Sequence, residues 1–447
     1  MLDRQQAADT VRMAMQRGAD AAECTMREGE EFEATVRMRS LETLKDAGSR
    51  AAGLRVLVGR RVGCSYTSDL SSEGIRKLVD SALEIAHITS EDPFAGLPDP
   101  SDLGMLPGDL ELYSGDAAEI GAEERIRQAL ETEEAALAAD PRISNSEGAS
   151  FTAYSGSRAF ANSLGFAGAY RTSSCSLATY PVAREGDSME RDYWYSSARS
   201  HARLESPAAI GRRAAERALR RLHSRKVATQ KVPVVFDPLV ARSLLGHICD
   251  AVDGNSIYRN ASFLAGKIGQ KVASENVTVV DDGTLPGLFG TSPYDDEGVP
   301  TRRTIVIERG ILRSYLLNAY TARKLGLKTT GNAARGITGN AGVGQGNFYL
   351  ERGQRPPEDI VRGVRSGLYV TTLIGSGVNI VTGDYSRGAA GLWIENGEFA
   401  YPVSEITIAA NLREMLLDIE SIGSDLEFRS ATASPTLMIR EMTISGK

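Results

Sequence analysis

The 447-residue chain predicts an α+β fold: two helix-covered antiparallel sheet units followed by a β-rich, barrel-like C-terminal domain. Three observations carry that reading. Amphipathic helical stretches recur in the first half, each beside extended runs punctuated by Gly or Ser. The order helix, strands, helix occurs twice before residue 228. From Lys231 onward, short strands and two-residue hairpin signals dominate and helices become few. The implied segments are 1–105 (N-terminal α+β domain), 106–228 (central helix–strands–helix domain) and 229–447 (β-rich C-terminal domain). A chain near three times the usual domain length of roughly 150 residues agrees.

Taken in order, residues 3–17 place Ala7, Ala8, Val11 and Met15 at helical spacing, with Gly18 as the stop. Extended runs follow at 23–27, 32–39, 41–45, 53–58 and 61–67. A second helix spans 72–87, with Ile75, Leu78, Val79, Ala82 and Ile85 on one face. Four prolines make 92–107 a linker. The pattern then returns: a helix over 117–139, strands within 143–200, and a helix opened by Ser206-Pro207, an N-cap serine with proline in the first turn. Beyond it, Val232 to Phe236 reads as a buried strand and 239–252 as a largely apolar helix. Arg309-Gly310 and Asn396-Gly397 each sit between two extended runs, as hairpin turns do.

Composition excludes several functions. The net charge of −7 gives no general attraction to polyanions. No stretch approaches the roughly 18 apolar residues of a membrane helix, and the first residues lack a secretion-signal pattern. Cys24, Cys64, Cys175 and Cys249 lie far apart with no CxxC, which fits a reducing cytoplasm. None of His87, His201, His223 and His247 precedes a glutamate, so HExxH and HExxxH zinc motifs are absent. Neither a GxSxG elbow nor a phosphate-binding GxxxxGK[ST] loop occurs.

Four features remain as candidate sites. The helix bearing Arg212, Arg213, Arg217, Arg220, Arg221, Arg225 and Lys226 could contact phosphates, but Glu216 among them and the acidic total favour a solvated face. The Gly/Asn-rich loop 331–347 is followed by Phe348-Tyr349-Leu350, a strand-like run, where a dinucleotide loop must open a helix. It reads as a turn-rich connection that could wall a groove. His247 and Asp250 share a helix face at i and i+3, while Cys249 points elsewhere; two ligands leave a zinc site incomplete. Asp281-Asp282-Gly283 and Asp295-Asp296-Glu297-Gly298 read as turns rather than as cation sites.

A set of short motifs in fixed order adds a further expectation: Arg191-Asp192-Tyr193-Trp194, Val234-Val235-Phe236-Asp237-Pro238, Ser243-Leu244-Leu245-Gly246-His247, Ser292-Pro293, and Thr330-Gly331-Asn332-Ala333. With these the chain resembles the TldD/PmbA family, within it the TldE (PmbA) branch. The resemblance implies a cytoplasmic zinc peptidase of two subunits that acts on unfolded or ribosomally made peptides. Its TldD-type subunit carries HExxxH, and its TldE-type companion lacks that motif. Counting back without gaps from Val272-Ala273-Ser274-Glu275, a stretch shared with the catalytic branch, puts Leu245 and Asp250 at the two histidine positions and Gly246 at the glutamate. No cysteine follows Cys249 to fill the catalytic branch's late ligand position. The resemblance therefore implies no catalytic residue and no metal in this chain, with zinc in a TldD-type partner. It also implies that His247, Asp253, Asn332, Arg335 and Asn340 border a shared cavity or interface. The alternative is a homodimeric module binding peptides or nucleic acid without a proteolytic role. A third reading is an independent hydrolase using Asp250, Asp253, Asp281 and Asp282.

Overall fold

In the computed structural model, which describes residues 2–446, the first strands run longer than the sequence suggests. Helix α1 (Arg4–Gln16), capped by the Asp3 carboxylate, leads into β1 (Ala21–Arg37), β2 (Ser40–Val58) and β3 (Arg61–Thr67). The five short runs read from the sequence are these three strands, because Gly29 and Gly48 continue them instead of ending them. Gly29 has a packing role: Tyr154 lies across it, and a Cβ there would sit 2.7 Å from the ring. Helix α2 (Ser72–Ile88) is capped by Ser71 and buries Ile75, Leu78, Val79, Ala82 and Ala86. The single helix expected over 117–139 is two, α3 (Asp116–Glu119) and α4 (Ala122–Leu137), parted at Ile120-Gly121. Strands β4 (Ile143–Asn162), β5 (Ala167–Glu185), β6 (Ser188–Arg191) and β7 (Trp194–Ala198) precede α5 (Pro207–Leu219), whose Ser206 cap accepts from the Ala209 N–H.

The two helix-covered units are parts of one curled antiparallel sheet. Its order is β3-β2-β1-β4-β5-β6, with β7 also on β5, so β1 joins both units. Period-2 alternation sorts the faces of that sheet. Ala22, Cys24, Met26, Ala52, Leu54 and Val56 pack under α1 and α2. Farther along the same face, Phe32, Ala34, Val36, Phe151 and Leu177 pack with Ala129 of α4 and Ile210 and Ala214 of α5. The opposite face carries Glu23, Thr25 and Arg27 of β1, Arg55 of β2, and Arg158 of β4. No helix covers it; the C-terminal half does.

That half begins with β8 (Gln230–Phe236), α6 (Pro238–Val252), α7 (Gly254–Tyr258), β9 (Val279–Asp282), β10 (Arg303–Glu308), β11 (Ile311–Leu312) and α8 (Ala319–Leu325). It continues through β12 (Ala333–Ala334), β13 (Gly342–Val343), β14 (Asn347–Leu350), β15 (Ser366–Val378), β16 (Asp384–Glu395) and β17 (Glu398–Asn411). It ends with β18 (Ile419–Ile422), β19 (Thr432–Ala433) and β20 (Leu437–Ser445). Strands β8, β15, β16, β17 and β20 pair in a ring, a closed five-stranded barrel with no free edge. The Asn396-Gly397 turn joins β16 to β17 with φ of 50° and 82°, the paired positive angles its sequence predicts. A second sheet, β11-β10-β9-β14-β19, lies beside the barrel. Helix α6 is wedged between the two, against β14, β15 and β19. Among the described residues no helix is long and apolar enough to cross a membrane.

Candidate functional site

The α6 positions aligned with a zinc motif lack the motif's donor atoms. Leu245 is 1% exposed, inside the aliphatic core, whereas Asp250 is exposed. Leu245 has no atom that can ligate, which leaves Asp250 as the one donor of the pair. Gly246 offers no side chain, and a Cβ there would meet nothing within 4 Å. Crowding therefore does not account for the missing carboxylate. Among the described residues no three His, Cys, Asp or Glu side chains are placed to hold a metal. The donors present do not fit the zinc site of the catalytic branch.

His247, Asp250 and Asp253 do share one face of α6, opening on a concavity of about 550 Å³ with Ser376 and Arg387. Burial, then the nearby Arg387, pull the His247 pKa below its usual value. Burial raises that of Asp250, with His247 opposing and Asp253 adding to the shift. His247 Nε2 is buried without a hydrogen-bond partner among the described residues, its ring edge-on to Tyr385 at 6.1 Å. Cys249 points the other way: its thiol donates to Gln345 Oε1 at 2.9 Å, and burial pushes its pKa up.

Gln345 belongs to loop 331–347, which folds onto the uncovered sheet face. Arg335 donates to Glu23 Oε1 at 2.6 Å and to Thr25 Oγ1 at 2.7 Å. Arg55 donates to Asn340 Oδ1 at 2.7 Å and to Glu23 Oε1 at 3.2 Å. Gly53 permits the approach, since a Cβ there would fall 1.7 Å from the Ile337 carbonyl oxygen. From the other side, Asn332 Nδ2 and the Gly346 N–H both donate to Asp281, each at 2.7 Å. The Ala333 and Arg335 N–H groups donate to Asp295 and Asp296 at 2.9 and 2.5 Å. The acidic segments do form turns, with Asp282 accepting from Thr284 and Asp295 from Glu297. Their buried carboxylates also anchor the loop. Burial lifts the Asp281 pKa to about 6 against its two donors. Burial likewise raises Asp295 and Glu297, and Glu297 is pushed further by Asp295 and Glu23 beside it.

Under the loop lies a cavity of about 370 Å³ between the sheet and the C-terminal half. Asn332 lines it; Arg335 is held on the sheet by Glu23 and Thr25, and Asn340 borders a separate pocket with Arg55 and Tyr320. The α6 residues open on another concavity, so the sequence-derived set is not gathered in one place. Sequence reading missed Arg27, Arg158, Arg199 and Tyr294, all of which line the cavity. One signal was available. Glu23, Thr25 and Arg27 alternate with the apolar Ala22, Cys24 and Met26, which marks a strand with a polar face needing cover. The basic helix is divided: Arg212, Arg213, Arg225 and Lys226 are exposed, as read, whereas Arg217 is buried 3.4 Å from both Asp192 and Asp237 and Arg221 pairs with Glu190 at 3.2 Å.

Residues 22–86, 115–222 and 229–446 match, in that order, domain 1, the central domain and the C-terminal domain of the PmbA/TldA metallopeptidases. The Metalloprotease PmbA of Escherichia coli O157:H7 is 40% identical over 96% of this chain and 93% of its own. The Metalloprotease PmbA homolog of Haemophilus influenzae is 36% identical over 99% and 96%. In fold, TldE of Thermococcus kodakarensis superposes with a TM-score of 0.89 at 22% identity, covering 99% of this chain and 100% of that one.

Proposed function

The chain belongs to the PmbA/TldD metallopeptidase family, and on that premise we propose that it is a TldE-type, non-catalytic subunit of a heteromeric zinc peptidase acting on unfolded or ribosomally made peptides in the cytoplasm. One observation carries the reading: at the motif positions α6 has a buried Leu245, a side-chain-free Gly246 and a lone carboxylate, Asp250. A hydrolytic zinc ion must lower the pKa of a bound water, and a base must take the water's proton. Leu245 cannot ligate, and Gly246 cannot accept a proton. A TldD-type partner supplies the ion, and this chain supplies wall and binding surface. Loop 331–347 and the His247, Asp250 and Asp253 face of α6 are the surfaces assigned to that shared chamber.

The test is expression with and without a TldD-type partner, followed by zinc analysis and a peptide-cleavage assay of each preparation. The expected outcome is a stoichiometric complex that holds zinc and cleaves, with the chain alone inert. Chelator-sensitive hydrolysis by the purified chain alone would overturn the proposal. A self-dimer that ignores the partner and binds DNA in a salt-sensitive way would favour the homodimeric binding module instead.

A further inference from the structure

Two like charges face each other in the cavity wall. Arg27 of β1 and Arg158 of β4 are direct register partners on adjacent strands, an arrangement that costs stability. A single carboxylate, Asp296, serves both: it is hydrogen-bonded to Arg158 and lies 3.8 Å from Arg27. The remaining acids of the wall are already supplied with donors. Asp295 accepts the Glu297, Val299 and Ala333 N–H groups, and Asp281 accepts from Gly346 and Asn332.

What the cavity has left over is donors. Arg27 and Arg158 make their contacts through Nη2 alone, so Nη1 of each donates to no described residue. The Arg302 side chain, also in the lining, forms no hydrogen bond or ion pair with any described residue, though its charge favours the ionised form of Asp295 nearby. Phe289, Tyr170 and Tyr294 give the same space an aromatic side.

We infer that this cavity is a binding subsite for a carboxylate that carries an apolar group, namely the carboxy-terminal end of a peptide. A guanidinium presents parallel N–H groups that match the planar carboxylate, and the aromatic side receives the terminal side chain. A volume of about 370 Å³ falls within the range of small-ligand sites. Inorganic phosphate shares the acceptor chemistry and is separated by experiment. The choice of a peptide rests on the peptidase reading above.

The full chain, without any partner, is titrated calorimetrically with N-acetyl-Ala-Ala-Phe as the free acid, with its carboxamide, and with inorganic phosphate. The acid is expected to bind at least about tenfold more tightly than the amide, a difference of about 1.4 kcal/mol. Arg302→Gln, which removes a cation whose side chain makes no hydrogen bond or ion pair with a described residue, should abolish most of that difference, checked by its own melting curve. Arg158→Gln should do the same, checked by its own melting curve. Absence of binding, equal binding of acid and amide, or a preference that survives both substitutions would overturn the subsite. Phosphate binding more tightly than the peptide acid would overturn the peptide assignment. No partner or hydrolysis enters this measurement, so its failure is distinct from failure of the co-expression assay.

Discussion

Helix α5 with its extension and the cavity under loop 331–347 are both rich in arginine, yet carboxylates hold Arg217 and Arg221 of the first more fully than they hold the arginines of the second. On α5, Arg217 is 5% exposed and lies between two carboxylates. Arg221 has Glu190, and Arg213 lies over Trp194. In the cavity, Arg27 and Arg158 share one acid, and the Arg302 side chain has no hydrogen-bonded or ion-paired partner among the described residues. Arginine count is therefore a poor guide to binding. What separates a structural cation from one available to a ligand is whether carboxylates from elsewhere in the chain have already met it.

Four measurements sharpen or break that contrast. Arg217→Met should have the largest effect, because it leaves Asp192 and Asp237 buried without their cation; a loss of about 3 to 5 kcal/mol in urea unfolding is expected. A loss below about 1 kcal/mol would remove the distinction between the two regions. Next is pH. The folded Asp281 pKa of about 6 lies above the unfolded value of roughly 3.9, so its stabilising contribution is complete below pH 4 and is lost as pH rises through 6. That contribution is about 2 to 3 kcal/mol, read as the slope difference between the native chain and Asp281→Asn in denaturation curves from pH 4 to 7. Gly53→Ala forces a Cβ against the Ile337 carbonyl and should cost about 1 to 3 kcal/mol, with loop 331–347 becoming a site of proteolytic nicking. Arg302→Ala should be the smallest, within about 0.5 kcal/mol, since that exposed side chain makes no hydrogen bond or ion pair with a described residue and acts only through its charge on Asp295.

Legibility followed the range of the interaction. The helices at 4–16, 72–88 and 207–219 and the Asn396-Gly397 turn were readable because local periodicity, caps and φ preferences determine them. Strand length was not, because Gly29 looks like a break until Tyr154 is known to lie on it. Closure of the barrel was only suggested, since the pairing of β17 with β20 depends on partners over thirty residues apart. At the site, the absence of a His-Glu pair was visible in the letters alone. The cavity was not, because its walls join Arg27, Arg158 and Asp296 from three distant stretches. The arginines of α5 misled for the same reason: their acids, Asp192, Asp237 and Glu190, lie outside the helix that advertises them.

The Glu23–Arg335 pair spans 312 positions. A ribosome adding about 5 to 20 residues per second needs roughly 15 to 60 seconds between the two ends. During that interval the first sheet can form and dock its helices, but Glu23 has only Arg55 for company. The face that carries them stays wet until the last third of the polypeptide emerges. Completion of the cavity is thus a late event in biosynthesis, and a chain cut short before residue 331 would hold a finished sheet with an unfinished floor.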